Sequence, residues 1–311
     1  MFRIRIVHEK VRETALEIDQ LNHFIKVAEH QSFTRAAEDV GLSQPALSRS
    51  ISRLEEELGQ PVFDRQARCV ALNDVGQRLL IRARQILTLV DEARAEICDD
   101  GRTGRIRIGA IPTIAPFLLP TLLTRCGHSF PDASIVVQED TTDALVKSLA
   151  AGTIDLAVLA LPLEVKYLDI DELFEEELWV VMPLGHPLEK RKAIRMSDLA
   201  PLPFVMLGEA HCLAGHIRSF CRQKSFHPLT IEQTSQLATV QELVALGHGI
   251  SLIPDMAKRL DTSDRRVYRS IAGTKPTRKI AILSNPYRFE SKLLAAFKNV
   301  IRTEYKEFAG P

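Results

Sequence analysis

The sequence predicts an N-terminal winged helix-turn-helix, mainly α, then a long linker helix and an α/β domain of two Rossmann-like lobes. Three observations predict it. Two short helices meet at a glycine turn between Ser32 and Arg65. One amphipathic stretch of about 25 residues follows, a length unusual for a helix packed only on its own domain. From Arg105 the apolar period changes to short β-runs alternating with helices.

A first helix runs from Asp19 to His30, with Leu21, Phe24, Ile25 and Ala28 on one side. Ser32 or Thr34 can cap the next, which places Ala36, Ala37 and Val40 inward. Gly41 stands where a helix ends in positive φ. Ser43 offers its hydroxyl to the orphan N–H groups of a new helix, and Pro45 falls in a first turn that needs no N–H. Ala46, Leu47, Ile51 and Leu54 recur at helical spacing. The opposite face carries Gln44, Ser48, Arg49, Ser52 and Arg53, groups that reach phosphates and base edges in a major groove. With Ser32, Thr34, Arg35, Ser43 and Pro45 at the helix starts, this reads as a DNA-binding surface whose second helix is the reader. An αα-hairpin buried in a core is the competing reading. The segment Leu58 to Arg65 then ends the helix and opens an extended wing.

Asn73 or Asp74 caps the long helix. Its stripe is Leu80, Ala83, Leu87, Val90 and Ile97, flanked by Leu79, Ile86 and Ala93. So narrow a stripe predicts a second copy of the chain along 74–98, against the alternative of packing on its own domain. Residues 101–104 form a hinge with two glycines. Strands are expected at Arg105–Ala110, Ser134–Gln138 and Leu156–Leu161, with helices between them, one of them Thr142–Ala151; this βαβαβ order implies parallel pairing. A second set has strands at Leu178–Pro183, Phe204–Leu207, Leu229–Glu232 and Gly249–Pro254, with helices at Leu213–Lys224 and Leu237–Leu246. The strand Arg278–Leu283 is expected to return to the first lobe before a closing helix from Ser291 to Phe308. Domains are therefore drawn at 1–18 (extension), 19–73 (DNA binding), 74–100 (linker and dimerisation), 101–104 (hinge) and 105–311 (regulatory). The regulatory domain divides into one lobe of 105–163 with 272–311 and another of 164–271. A cleft between them is the natural ligand site.

At 311 residues the chain suits two or three domains, and 45% hydrophobic content is ample for their cores. The formal net charge of +0 gives no global basic field. A reader with a few arginines on one helix does not need one. No apolar run is long enough to span a bilayer. Residues 1–18 alternate charged and apolar side chains and lack the core of a signal peptide. The expectation is a cytoplasmic protein, its five cysteines free thiols. No cofactor and no metal is called for.

Cys212 and Cys221 are nine positions apart within one predicted helix. Nine helical residues advance ~13.5 Å, too far for a disulfide, which needs Cα atoms roughly 4.4–6.8 Å apart. A bond between them requires the helix to unwind, making the pair a possible two-state element. Cys212 lies at the helix start beside His211, surroundings that favour a thiolate, whereas Cys221 sits beside Phe220. Cys212 is thus read as the thiol oxidised first and Cys221 as the resolving one. Two inert buried cysteines are the alternative. A zinc site from His211, Cys212, His216, Cys221 and His227 matches no standard ligand spacing.

The run A-A-E-D-V-G-L-S-Q-P-A-L-S-R-S-I-S-R-L-E-E-E-L-G-Q-P-V-F-D-R, from Ala36 to Arg65, resembles the DNA-binding signature of LysR-type transcriptional regulators, and the resemblance extends over nearly the whole chain. It implies an effector domain built like a periplasmic binding protein, a double-stranded DNA operator, assembly as a dimer or tetramer, RNA polymerase as a further partner, and no enzymatic activity. His211-Cys212 followed by eight residues and Cys221, together with Ile111 to Pro120, resembles the peroxide-sensing members of that family. That narrower likeness implies hydrogen peroxide as the signal. Thr113, Thr142, His211 and Arg278 would then surround Cys212, the Thr and His groups positioning the peroxide and Arg278 lowering the thiol pKa. Two departures stand out. Ala214-Gly215-His216 occupies a place where Arg-Asp-Gln is common. Asp143 stands where a histidine is expected, and its charge would raise a thiol pKa. The alternative function is a regulator with a small carboxylate inducer in the cleft, held by Thr113, Ser235 and Gln236. A thiol peroxidase is weakened by the lack of a Cys-x-x-Cys.

Overall fold

A computed structural model describes residues 16–64, 70–98, 100–224 and 228–306. The first fifteen residues, residues 65–69 with Cys69, Asp99, His227 and the side chain of Cys98 lie outside the described residues. The chain divides into two compact units, Met1–Arg94 and Ala95–Pro311.

The first unit holds α1 (Ile18–His30), α2 (Phe33–Asp39), α3 (Gln44–Leu58), β1 (Phe63–Asp64), β2 (Ala71–Leu72) and most of α4 (Asp74–Cys98). Ser32, not Thr34, caps α2, accepting from the Arg35 N–H at 3.4 Å. Ser43 caps α3, accepting from Ala46 at 3.4 Å. Gly41 between them has φ +69°, a conformation that costs a side-chain-bearing residue dearly. Leu21, Phe24, Ala36, Leu47, Ile51, Leu54 and Val62 form one core. β1 and β2 pair antiparallel as the base of the wing.

The predicted stripe of α4 divides between two environments. Leu79, Leu80, Ala83 and Leu87 pack on the helix-turn-helix core. Ile86 and Ile97, also named in the predicted stripe and its flank, are exposed, as are Ile81 and Leu89. A period-based stripe identifies an apolar face without saying which neighbour covers it.

The second unit runs β3 (Gly104–Ala110), α5 (Ala115–Ser129), β4 (Ala133–Glu139), α6 (Thr142–Ala151), β5 (Leu156–Leu161), β6 (Asp169–Pro183), β7 (Ala193–Ile194), α7 (Met196–Leu199), β8 (Pro203–Leu207), α8 (Cys212–Gln223), β9 (Leu229–Thr234), α9 (Leu237–Ala245), β10 (Ser251–Pro254), α10 (Asp255–Arg259), β11 (Arg266–Ile271), β12 (Thr277–Ser284) and α11 (Lys292–Lys306). As expected, β3 pairs in parallel with β4 and β5, and β12 returns to lie antiparallel to β5.

β6 is much longer than the predicted Leu178–Pro183. Its first half pairs with β12 and its second with β10 and β11, so one strand serves both lobes. Two apolar cores result, one around Ile108, Leu159, Ile282 and Phe297, the other around Val180, Phe204, Ile217 and Leu252. Leu168, Phe174 and Met256 join the first core although all three fall within 164–271. The early half of β6 was hidden because acidic residues fill its outward face. Glu172 there pairs with Lys279 at 2.8 Å and Glu177 with Lys275 at 2.7 Å.

Candidate functional site

Two regions gather chemistry-bearing side chains. The first is the exposed face of α3. Gln44, Pro45, Arg49, Ser52 and Arg53 are exposed and Ser48 is half-buried, while Leu47, Ile51 and Leu54 hold the helix from behind. Thr34 and Arg35 are exposed on α2, where the Arg35 guanidinium donates to the His30 carbonyl at 2.9 Å. Ser32 and Ser43 are committed to capping, which leaves their role in positioning the helices. A rigid helix thus presents two arginines and short polar groups on one side.

The second region surrounds Cys212, the first residue of α8, preceded by His211 at the cap position. Thr142 is the first residue of α6. Its buried hydroxyl has no hydrogen-bond partner among the described residues, and its influence on the Cys212 sulfur favours the thiolate. Two helix N-termini therefore approach one sulfur, each placing partial positive charge there. Arg278 comes from β12 with its side chain fully buried. It donates to Thr113 Oγ1 at 2.9 Å, to the Thr113 carbonyl at 3.0 Å and to Glu176 Oε1 at 2.8 Å. The structure thus brings Thr142 and Arg278 toward Cys212, with Thr113 bonded to that arginine and His211 adjoining the cysteine in sequence.

The electrostatic balance differs from the expected one. Burial pushes the Cys212 thiol up, and it outweighs the opposing pull of Arg278, Thr142 and the helix N–H groups. The resting group is a thiol, not a ready thiolate. Asp143 is exposed, so burial rather than that carboxylate accounts for the upward shift. Cys221 lies on the same helix but in the other core, fully buried, its thiol raised to about 11 by burial. Cys212 packs instead against the first core. One helix therefore pins its two cysteines to different lobes.

Ser235 and Gln236 are exposed just before α9, whereas Thr113 is buried and engaged with Arg278. A cavity of about 620 Å³ is lined in part by Pro162, Ile170, Thr277, Arg278 and Lys279, and none of Thr113, Ser235 and Gln236 lines it. Among the described residues no three His, Cys, Asp or Glu side chains gather as a metal site. No helix among them is long and apolar enough to cross a membrane.

Sequence reasoning missed Glu176. Its other oxygen accepts from the Met256 N–H at 2.9 Å, so it ties β6, β12 and the start of α10 together. A carboxylate in phase with the buried Phe174 and Leu178 was the available clue, because buried charges are paired.

A family model described as LysR substrate binding domain matches residues 99–306, and one described as Bacterial regulatory helix-turn-helix protein, lysR family, matches residues 18–77. The chain is 33% identical over 274 residues to a hydrogen peroxide-inducible genes activator of Pectobacterium carotovorum subsp. carotovorum, covering 87% of this chain and 91% of that protein. Full-length OxyR of Pseudomonas aeruginosa, a cysteine-to-aspartate variant, is similar in structure, with a TM-score of 0.74, 27% identity and coverage of 94% and 95% of the two chains. A cysteine-to-serine variant of OxyR from Corynebacterium glutamicum, with hydrogen peroxide bound, gives a TM-score of 0.65 and 28% identity, covering 94% of each chain. Both halves of the chain and their order match, and this protein belongs to the LysR family of bacterial transcriptional regulators.

Proposed function

We propose that this regulator senses hydrogen peroxide through a reversible disulfide between Cys212 and Cys221. The observation that carries the reading is their placement on α8. Cys212 sits where the N-termini of α6 and α8 and the Arg278 charge converge, while Cys221 is anchored in the opposite core. Oxidation of Cys212 gives a sulfenic acid, and Cys221 displaces water from it to form the disulfide. That bond forms only if α8 unwinds and Cys212 leaves the first lobe, which converts a chemical signal into a change of shape. The names of the relatives support the same signal.

The output is transcriptional. Gln44, Ser48, Arg49, Ser52 and Arg53 read an operator in double-stranded DNA. Two copies join along α4, whose exposed Ile81, Ile86 and Leu89 are available for the contact, and two such pairs make a tetramer. RNA polymerase is the further partner. The protein acts in the cytoplasm and turns over no substrate.

The test treats the reduced full-length protein with a modest excess of hydrogen peroxide and maps disulfides by peptide mass. A fast Cys212–Cys221 linkage, reversed by dithiol reductant, is the expected result. Two untouched thiols would move the function to a small carboxylate inducer, for which the exposed Ser235 and Gln236 at the start of α9 are the groups to test.

A further inference from the structure

α8 is held by its packed side and weakened along its backbone. Leu213, Ala214, Ile217 and Cys221 are buried and fix the helix in the second core. Its start has no side-chain cap: His211 occupies the cap position, and its side chain makes no capping hydrogen bond. α3 and α6 begin instead on Ser43 and Thr141, whose hydroxyls accept from the Ala46 and Ala144 N–H groups at 3.4 Å. Ser, Thr, Asp and Asn are the residues that stabilise a helix start.

The second weakness is Gly215, the fourth residue of the helix and exposed. Glycine loses more backbone freedom in a helix than alanine does, so it destabilises a helix interior. A fold keeps it there where a close neighbour or a positive φ excludes a side chain. Neither reason applies to Gly215. Its φ is not positive, and a Cβ at that position would have no atom within 4 Å. At Gly76, by contrast, a Cβ would run into the Val62 carbonyl. Gly215 lies between Cys212 and Cys221, in the stretch that has to open before a disulfide can close.

Resting on the disulfide reading above, we propose that Gly215 is a built-in weak point of α8 that sets the balance between the reduced and the disulfide form. In the step it governs, the Cys221 thiol attacks the sulfur of the Cys212 sulfenic acid. The S–S bond forms, the S–O bond breaks, and the hydroxyl leaves with the thiol proton as water. The two sulfurs meet only when the turns between them open. Glycine makes that opening about fivefold more favourable than alanine would. Formation of the sulfenic acid comes before the opening and does not draw on it. Gly215 therefore acts on the poise of the disulfide and not on the reactivity of Cys212.

The experiment compares wild type with Gly215→Ala in the full-length protein. Each is equilibrated in graded ratios of reduced to oxidised dithiothreitol, and the Cys212–Cys221 bond is counted by peptide mass. The variant should be half-reduced at about one fifth of the ratio that wild type needs. Ser219→Gly, at another exposed position between the cysteines, should move the midpoint about twofold the other way. In a Cys221→Ser background, Gly215→Ala should leave the rate of dimedone-trapped sulfenic acid formation unchanged. A midpoint that Gly215→Ala does not move, in a protein whose disulfide still forms, would overturn the weak point and leave the peroxide reading intact. So would a sulfenic acid rate that falls along with the midpoint, because the substitution would then act on Cys212 itself. A wild type in which peroxide never joins the two cysteines would overturn both.

Discussion

Arg278 and Glu176 form a buried ion pair, Nε to Oε1 at 2.8 Å, with side chains 0% and 5% exposed. The arginine's remaining reach goes to Thr113, and the carboxylate's second oxygen goes to the Met256 N–H. The pair is the polar joint between β6, β12, α10 and the loop before α5. Glu176→Ala would strand the guanidinium without its counter-charge and should destabilise the second unit by about 3–5 kcal/mol. Urea unfolding of the reduced protein checks it. A loss below about 1 kcal/mol would mean that water or Thr113 alone satisfies Arg278.

The reader helix makes a second prediction. Arg49 and Arg53 are exposed, while Leu47, Ile51 and Leu54 hold the backbone in place. Replacing either arginine with alanine should leave the fold untouched. Operator binding should weaken by about 1–3 kcal/mol where the lost contact is bidentate to a guanine. Fluorescence anisotropy over a range of salt separates the cases: a phosphate contact reduces the salt slope by about one for any sequence. An unaltered Kd at both positions would move recognition off this face.

The helix-turn-helix was legible because each of its signals is local. The caps, the positive-φ glycine, the proline and the helical period lie within one continuous stretch, and the structure returns them at the same residues. The Cys212 site was half legible. Helix starts at Thr142 and Cys212 can be read from composition, but Glu176 and Arg278 are 102 positions apart and meet only through the β6–β12 register. The burial that raises the Cys212 thiol has no sequence signature either, since it comes from the packing of two lobes. The α4 stripe was only partly legible for a related reason: periodicity reports that a face is apolar and leaves the covering partner to tertiary structure.

Cys221 supplies a pH dependence. Burial raises its thiol from 9.0 to about 11. Between those values the folded chain keeps a proton that the unfolded chain has lost. The stabilisation is therefore complete below about pH 9 and lost as pH climbs through about 11, a span worth roughly 2–3 kcal/mol. Urea unfolding in reducing buffer at about pH 8 and pH 10.5 should show wild type losing more stability than Cys221→Val, which has no proton to release. Parallel losses in the two proteins would mean that the thiol is solvated in the folded state.

The oxidised state should lack α8. The two cysteines are separated by ~13.5 Å of helix axis, and a disulfide spans less than half of that. The helix has 12 residues, and Leu213, Ala214, Ile217 and Cys221 are buried along it. Closing the bond must release part of this apolar contact, so oxidation acts against packing as well as against helical hydrogen bonds. Hydrogen exchange should show the α8 amides losing most of their protection in the oxidised protein and regaining it on reduction. In Cys221→Ser, which stops at the sulfenic acid, protection should persist. If the disulfide forms while the α8 amides stay protected, the helix has not served as the switch, and the change of shape must come from elsewhere in the second unit.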